Sequence, residues 1–100
     1  MYLAEIDCEV INSKIEFMKA MDNAFGFPSY FGENWDALWD CMRDLYWIKE
    51  NEIKVKIMNS EFLPQKLKLD INLFFEDLKI YLEKNNTNLE IKYIFTFDFI

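Results

Sequence analysis

Three aspartates at a spacing of four residues are the side chains of this sequence best suited to chemistry. Asp36, Asp40 and Asp44 stand at i, i+4 and i+8, so on a helix their carboxylates would lie along one line. Like charges at this spacing destabilise an isolated helix by about 0.2–0.5 kcal/mol per pair, although Arg43 would screen part of the row. The row is therefore a solvated helix surface, a metal-binding cluster or a surface for a cationic partner.

A metal-dependent hydrolase is the weakest of these interpretations. Clustered carboxylates hold Mg²⁺ or Mn²⁺, but three acids along one line of a helix point apart instead of converging on one ion. The chain has no histidine to act as a base, and no glycine-rich phosphate loop follows a predicted strand. The sequence therefore predicts a protein that is not an enzyme, with no catalytic residue, no metal and no cofactor.

Binding to a cationic protein agrees better with the residues around the row. Tyr30 and Phe31 precede it in a segment that holds both glycines of the chain, and a loop there would present aromatic contact area beside the charge. Short aspartate side chains lose little conformational entropy on docking. The natural complement is a cleft lined with lysine and arginine, such as an RNA-binding site, in which carboxylates would take the place of phosphates.

Charge and composition argue against several other classes of partner. The chain has 18 acidic and 11 basic residues and a net charge of −7, which repels nucleic acid and anionic membranes and attracts cations. Ordinary solubility would explain the same charge. Ten Phe, five Tyr and three Trp in a chain that is 52% hydrophobic exclude disorder. Direct binding to nucleic acid or to a membrane is therefore not expected.

The two cysteines indicate a reducing compartment. Cys8 and Cys41 cannot form a disulfide framework and do not have the spacing of metal ligands, so we expect two reduced, partly buried thiols. Residues 1–7 carry acids where a signal peptide needs basic residues, and no apolar run approaches membrane-spanning length. The sequence therefore predicts a cytoplasmic protein.

Hydrophobic periodicity predicts the elements that position the acidic row. Strands are predicted at 2–7, 53–57 and 89–99, and helices at 13–23, 34–46 and 67–84. Asn12 or Ser13 would cap the first helix, a loop follows at 25–33, and the polar run 85–88 would end the third helix. Strands separated by helices favour parallel pairing with right-handed crossovers. We therefore predict one α/β domain over residues 1–100, with the element order β-α-α-β-α-β. Its helices would pack on a three-stranded parallel sheet, and the final strand would be central or well covered.

The second predicted helix also carries an apolar stripe. At about 100° per residue, five large side chains fall on the side away from the aspartates, and we expect this side to face the core. The five residues are Trp35, Leu38, Trp39, Met42 and Tyr46.

The segment from Tyr30 to Cys41, YFGENWDALWDC, resembles the signature of the barstar family of ribonuclease inhibitors. The match consists of paired aromatic residues, a Gly-x-Asn-x-Asp-Ala-Leu-Trp-Asp run and a following cysteine. It implies a barstar-like fold and an inhibitor that occludes the active site of a cationic, barnase-like ribonuclease. The chain would be a monomer that forms a 1:1 heterodimer with this protein partner. The alternative is an immunity or interaction protein for a different toxin.

The resemblance also implies roles for individual residues. Asp40 would be the central anchor, mimicking a substrate phosphate, and Asp36 would contact the same basic site from one turn earlier. Tyr30 would supply an aromatic contact, and the backbone at Gly32 and Asn34 would shape the approach.

The remaining implied contacts lie beside this centre. Phe31 takes the place of a second tyrosine, and Trp39 is chiefly a core residue with an exposed edge. Arg43 and Asp44 add charge in a turn where the best-known member is uncharged, and Glu83 would add a carboxylate late in the third helix. The predicted partner-binding residues are Tyr30, Phe31, Gly32, Asn34, Asp36, Trp39, Asp40, Arg43, Asp44 and Glu83.

Overall fold

A parallel sheet of three strands organises the fold. The computed structural model describes residues 1–85 and 93–100. The strands are β1 (Tyr2–Asp7), β2 (Glu52–Met58) and β3 (Ile94–Phe99), and both neighbouring pairs are parallel in the order β1-β2-β3.

Helices connect these strands along the chain. The helices are α1 (Lys14–Phe25), α2 (Trp35–Asp44) and α3 (Gln65–Asn85), and short 3₁₀ turns lie at Cys8–Val10 and Ser60–Phe62. The predicted α/β fold, with the order β-α-α-β-α-β and a three-stranded parallel sheet, is confirmed.

Alternation along the strands gives the sheet one covered face and one open face. Ile53, Val55 and Ile57 of β2 are buried, because their side chains point towards the helices. Lys54, on the opposite face, lies 3.0 Å from a carboxylate oxygen of Asp98 in an ion pair between β2 and β3. The open face therefore carries charged side chains, and the helices with the candidate site lie on the other side.

The last strand differs from its prediction in its place in the sheet. β3 is an edge strand, not a central one, and it is covered on one face, where Phe95 is buried while Ile94 is 56% exposed. Two of its aromatic rings, Phe95 and Phe97, pack on Phe75 of α3, and the sequence pattern does not distinguish such one-sided packing from burial between two strands. The predicted strand residues 89–92 and the helix-ending residues 86–88 lie outside the described residues.

Reciprocal hydrogen bonds fix the start of α1. The Ser13 side chain accepts from the Glu16 backbone N–H at 3.3 Å, and the Glu16 carboxylate accepts from the Asn12 N–H at 3.1 Å. The bond from the Glu16 N–H to the Ser13 side chain confirms Ser13 as the cap of the two predicted. The helix ends at Gly26, whose φ of 63° places it in the left-handed region, where a residue without Cβ is favoured.

Phe75 joins α3 to the rest of the core. Its side chain is fully buried, and its ring centroid lies 5.5 Å from that of Phe95, 5.3 Å from that of Phe97 and 6.3 Å from that of Phe17. One side chain thus contacts α1 and β3 at once, so the position of α3 depends on it.

Both cysteines are free and buried, more completely than the partial burial predicted. Burial raises the pKa of the Cys8 thiol to about 11, so the thiol stays protonated at neutral pH. Among residues 1–85 and 93–100, no helix has the length and apolar character needed to cross a membrane.

Candidate functional site

Asn34 fixes the start of the helix that carries the aspartates. Its side-chain oxygen accepts a hydrogen bond from the Ala37 N–H at 2.8 Å, and its side-chain nitrogen donates to the Gly32 carbonyl at 3.2 Å. The first bond satisfies a helix N–H that has no partner within the helix, and the second ties the preceding loop to the helix. The loop and the helix are therefore held together by one side chain.

Replacing this cap is expected to destabilise the protein. Asn34→Ala removes the acceptor for the Ala37 N–H, and N-cap losses of this kind cost about 0.5–2 kcal/mol. Urea denaturation should show a free energy of unfolding lower by about 1 kcal/mol, and Asn34→Asp, which keeps the acceptor, should retain most of the stability. An Asn34→Ala variant as stable as the unmodified protein would contradict this role.

The backbone just before α2 turns tightly. A Cβ on Gly32 would lie 3.2 Å from the Asn34 side-chain nitrogen and 3.6 Å from the Ala37 Cβ, so a larger residue would press against the cap. Glu33 follows with a φ of 53°, in the left-handed region that residues with a side chain seldom adopt. Gly32 and Glu33 thus let the backbone turn tightly between the loop and the first residue of α2.

The inner face of α2 is anchored in the core. Leu38, Cys41 and Met42 are buried, and the buried Tyr93 hydroxyl donates a hydrogen bond to the Met42 carbonyl. Burial raises the pKa of Tyr93, which keeps this donor protonated. The side of α2 that bears the predicted apolar stripe is thus fixed to the region before β3.

The two tryptophans of the stripe pack α2 on α3. The Trp35 ring centroid lies 5.4 Å from that of Phe74, and Trp39 meets Phe74 at 5.9 Å and Tyr81 at 5.4 Å. Both tryptophans are half-buried against the core. Trp39 therefore packs on α3 while its side chain stays partly accessible.

The outer face of α2 is acidic and accessible. Asp36, Asp40 and Asp44 are all exposed, and their spacing on a helix formed from Trp35 to Asp44 places them along one line. Arg43 lies 3.1 Å from a carboxylate oxygen of Asp40, whose side chain is 67% exposed. The arrangement is an exposed row of carboxylates on a helix whose opposite face is fixed.

The loop before α2 presents one aromatic ring and buries the next. Tyr30 is 71% exposed, whereas Phe31 is half-buried with its ring centroid 4.7 Å from that of Phe27. The Phe31 N–H donates to the Pro28 carbonyl at 3.0 Å, which closes the turn. Of the paired aromatics, Tyr30 is thus the ring that a partner can reach, and Phe31 anchors the loop on Phe27.

Tyr46 does not belong to the apolar stripe, which corrects the sequence prediction. α2 ends at Asp44 because Leu45 adopts a φ of 46°, which turns the chain out of the helical path. Leu45 is buried in its place, and Tyr46 is 68% exposed. The predicted helix end at residue 46 is therefore two residues too late.

On α3, helical spacing puts Asp77 and Glu83 on different sides relative to the rings that contact α2. Asp77 is exposed and lies three residues after Phe74 and four before Tyr81, on the side of the helix that contacts Trp39. Glu83 is exposed but comes nine residues after Phe74, about two and a half turns away and so on the opposite side. Its helical spacing from Phe74 and Tyr81 is the sequence signal that would have identified Asp77 as the acidic residue of α3 on the α2 side.

The carboxylates do not converge on a common point. Among residues 1–85 and 93–100, no group of three or more acidic or thiol side chains is placed to hold a metal ion. What these residues offer is a surface, formed by an exposed acidic row on α2 and an exposed tyrosine in the loop before it. The fold and this surface are those of a small acidic α/β protein with an exposed row of carboxylates on one helix.

Comparison with known proteins gives the family. The sequence model of the family described as Barstar (barnase inhibitor) matches residues 1–94. The chain therefore belongs to the barstar family, as its central segment predicts. A search of curated proteins gives no significant match.

Membership establishes the function at the level of the family. Barstar-family proteins are ribonuclease inhibitors that bind a barnase-like ribonuclease as their protein partner. The family is inhibitory and not catalytic, which agrees with the predicted absence of enzyme activity.

Proposed function

We propose that this protein inhibits a cationic ribonuclease by inserting the acidic face of α2 into the nuclease active site. Asp40 would occupy the position of a substrate phosphate, with Asp36 and Asp44 on either side of it. Tyr30 would add aromatic contact from the loop. Carboxylates accept charge-assisted hydrogen bonds from arginine and lysine as phosphate oxygens do, so a cleft that binds RNA would bind this surface.

The exposed carboxylate row on a fixed helix is the observation that carries this proposal. The inner face of α2 is held by buried Leu38 and Met42 and its first turn by Asn34, so the three charges are positioned before a partner arrives. A surface that is already ordered loses less entropy on binding. The net charge of −7 would also steer a cationic partner towards it.

The neighbouring residues have supporting parts in this proposal. Gly32 and Asn34 would set the approach of the loop, while Phe31 and Trp39 would support the surface from the core side. Asp77 would extend the acidic surface onto α3, in the part that the resemblance gives to Glu83.

A titration with a purified barnase-type ribonuclease tests the proposal. RNA cleavage should fall linearly with added protein and stop at one molecule per nuclease, as a tight 1:1 complex requires. Unchanged cleavage at a large excess of the protein would contradict the proposal. A stable complex with undiminished cleavage would point instead to an immunity or interaction protein for another toxin.

Removing Arg43 is expected to tighten binding. Its guanidinium contacts Asp40 at 3.1 Å in an exposed pair, and the basic groups of a nuclease must replace it before they reach that carboxylate. Exposed pairs contribute about 0.2–1 kcal/mol, so Arg43→Gln should lower Kd by up to about fivefold in surface plasmon resonance.

A matched control separates this local effect from net charge. Lys56→Gln makes the same change of charge on the open face of the sheet, away from α2, and should alter Kd less than Arg43→Gln. If Arg43→Gln binds no better than Lys56→Gln, the proposed competition for Asp40 is wrong.

The two thiols support a reducing compartment for this activity. Cys8 and Cys41 are free and buried, and free cysteines persist where disulfides are kept reduced. We therefore place the protein in the cytoplasm, where it would protect the cell's own RNA from the nuclease.

A further inference from the structure

Tyr46 is a prominent exposed residue to which the proposed function gives no role. Tyr30 and Tyr46 are 71% and 68% exposed, and the next most exposed aromatic residue in the described part of the chain, Phe62, is 51% exposed. Exposed tyrosines are frequent among the residues that dominate the energetics of protein interfaces. The surroundings of Tyr46 therefore bear on how far the binding surface extends.

The backbone on both sides of Tyr46 is held in place. The Leu45 N–H donates to the Cys41 carbonyl at 3.0 Å, and the Ile48 N–H donates to the Leu45 carbonyl at 3.0 Å. The Trp47 indole N–H donates to the Phe25 carbonyl at 2.8 Å. Tyr46 also packs edge-on against the Trp47 ring, with centroids 5.0 Å apart. The tyrosine is thus exposed on an ordered turn, where binding would immobilise little that is free.

Each exposed tyrosine is followed by a residue whose ring packs on the same buried phenylalanine. Tyr30 is followed by Phe31 and Tyr46 by Trp47, and these two inward-facing rings contact Phe27 at centroid distances of 4.7 Å and 6.1 Å. Phe27 itself is buried. The Tyr46 and Asp44 side chains are also near enough to Tyr30 to act on its hydroxyl, so the two tyrosines lie at one corner of the surface, just past the C-terminal end of α2.

The electrostatics at this corner agree with the packing. Partial loss of hydration raises the pKa of Tyr30, and the neighbouring Tyr46 and Asp44 raise it further. Asp44 is exposed and forms no ion pair with any other residue in the described ranges, whereas Asp40 is paired with Arg43. The corner therefore combines two aromatic rings with a carboxylate that forms no ion pair within the described part of the chain.

We propose that Tyr30, Tyr46 and Asp44 together receive an arginine side chain of the nuclease. A guanidinium group stacks on an aromatic face and pairs with a carboxylate in a planar, two-bond geometry, which a lysine ammonium does not reproduce. This inference rests on the proposed function and extends its surface past the end of α2, beyond the contacts of Asp36 and Asp40.

Three substitutions at Tyr46 test the stacking. Tyr46→Phe keeps the aromatic face and should bind the inhibited nuclease within about twofold of the unmodified protein. Tyr46→Leu keeps apolar area without a π face, and Tyr46→Ala removes both. These two variants should raise Kd by about tenfold, mainly through faster dissociation. Unchanged Kd for Tyr46→Leu would overturn the stacking, and unchanged Kd for Tyr46→Ala would overturn the contact itself.

A double-variant cycle tests whether the ring and the carboxylate share one ligand. Tyr46→Leu and Asp44→Asn should each weaken binding, and their combination should weaken it by less than the product of the two effects, because both groups would contact the same side chain. Independent, multiplicative effects would overturn the shared arginine. Phe62→Ala, which removes an exposed ring near the start of α3, should leave Kd unchanged.

The Asp40 variant separates this inference from the proposed function. If Asp40→Asn abolishes inhibition while every Tyr46 variant binds normally, the arginine contact alone is wrong. If the unmodified protein fails to inhibit, the proposed function is wrong.

Discussion

Asp40→Asn should weaken binding to a barnase-type ribonuclease more than any other single substitution in α2. The substitution keeps the shape of the side chain and removes the charge at the middle of the row, opposite basic groups that the complex would have desolvated. Breaking one partner of such a pair costs about 2–5 kcal/mol, a range drawn in part from complexes of this family. The expected rise in Kd is therefore about 30-fold to 5,000-fold, measured by inhibition of RNA cleavage.

The control for this prediction is Asp98→Asn, which removes the same charge from the open face of the sheet. Asp98 is exposed and pairs with Lys54, so its loss should change Kd little, apart from a small salt-dependent decrease in the association rate. Urea denaturation of both variants should confirm that they fold. Equal inhibition by Asp40→Asn and Asp98→Asn would remove Asp40 from its proposed role.

The largest effect on stability is expected at Phe75. Phe75→Ala would leave a cavity among the rings of Phe17, Phe95 and Phe97, and losses of this kind cost about 3–5 kcal/mol. Domains of this size are stable by about 5–15 kcal/mol in total, so the variant should lose a large share of its free energy of unfolding. The measurement is the free energy of unfolding from urea denaturation followed by tryptophan fluorescence.

Two further variants serve as controls for this prediction. Phe75→Leu fills part of the volume and should lose less stability than Phe75→Ala. Phe62→Ala truncates a half-exposed ring and should cost less than about 1 kcal/mol, as is usual for surface positions. If Phe75→Ala and Phe62→Ala are equally stable, the central position assigned to Phe75 is wrong.

Local signals in the sequence were sufficient to predict most of the architecture. Period-2 alternation in 53–57 identified β2, and Ser13, one of the two caps predicted for the first helix, proved to be the one used. The helical spacing of α2 predicted that its aspartates are exposed and that Leu38 and Met42, on the opposite side, are buried. These features depend on residues close together in the chain, so the chain itself contains the information.

The features that differ from the sequence predictions, or that the sequence leaves open, depend on backbone conformation and on contacts between distant segments. α2 ends early because Leu45 takes a left-handed conformation. A glycine at this position would have signalled the helix end in the sequence, but a leucine does not. Tyr46 is exposed as a result. The side of α3 that meets α2 is set by Trp39 packing on Phe74 and Tyr81, which counting back from the last strand could not give. The edge position of β3 likewise depends on strand order.

Competition with a nucleotide tests the central claim most directly. A nucleotide with a terminal phosphate, bound in the nuclease active site, should be displaced by the protein in isothermal titration calorimetry. The apparent Kd of the protein should rise in proportion to nucleotide concentration, because carboxylates and phosphate would occupy the same basic groups. A ternary complex in which the nuclease holds the nucleotide and this protein together, each with undiminished affinity, would contradict the account.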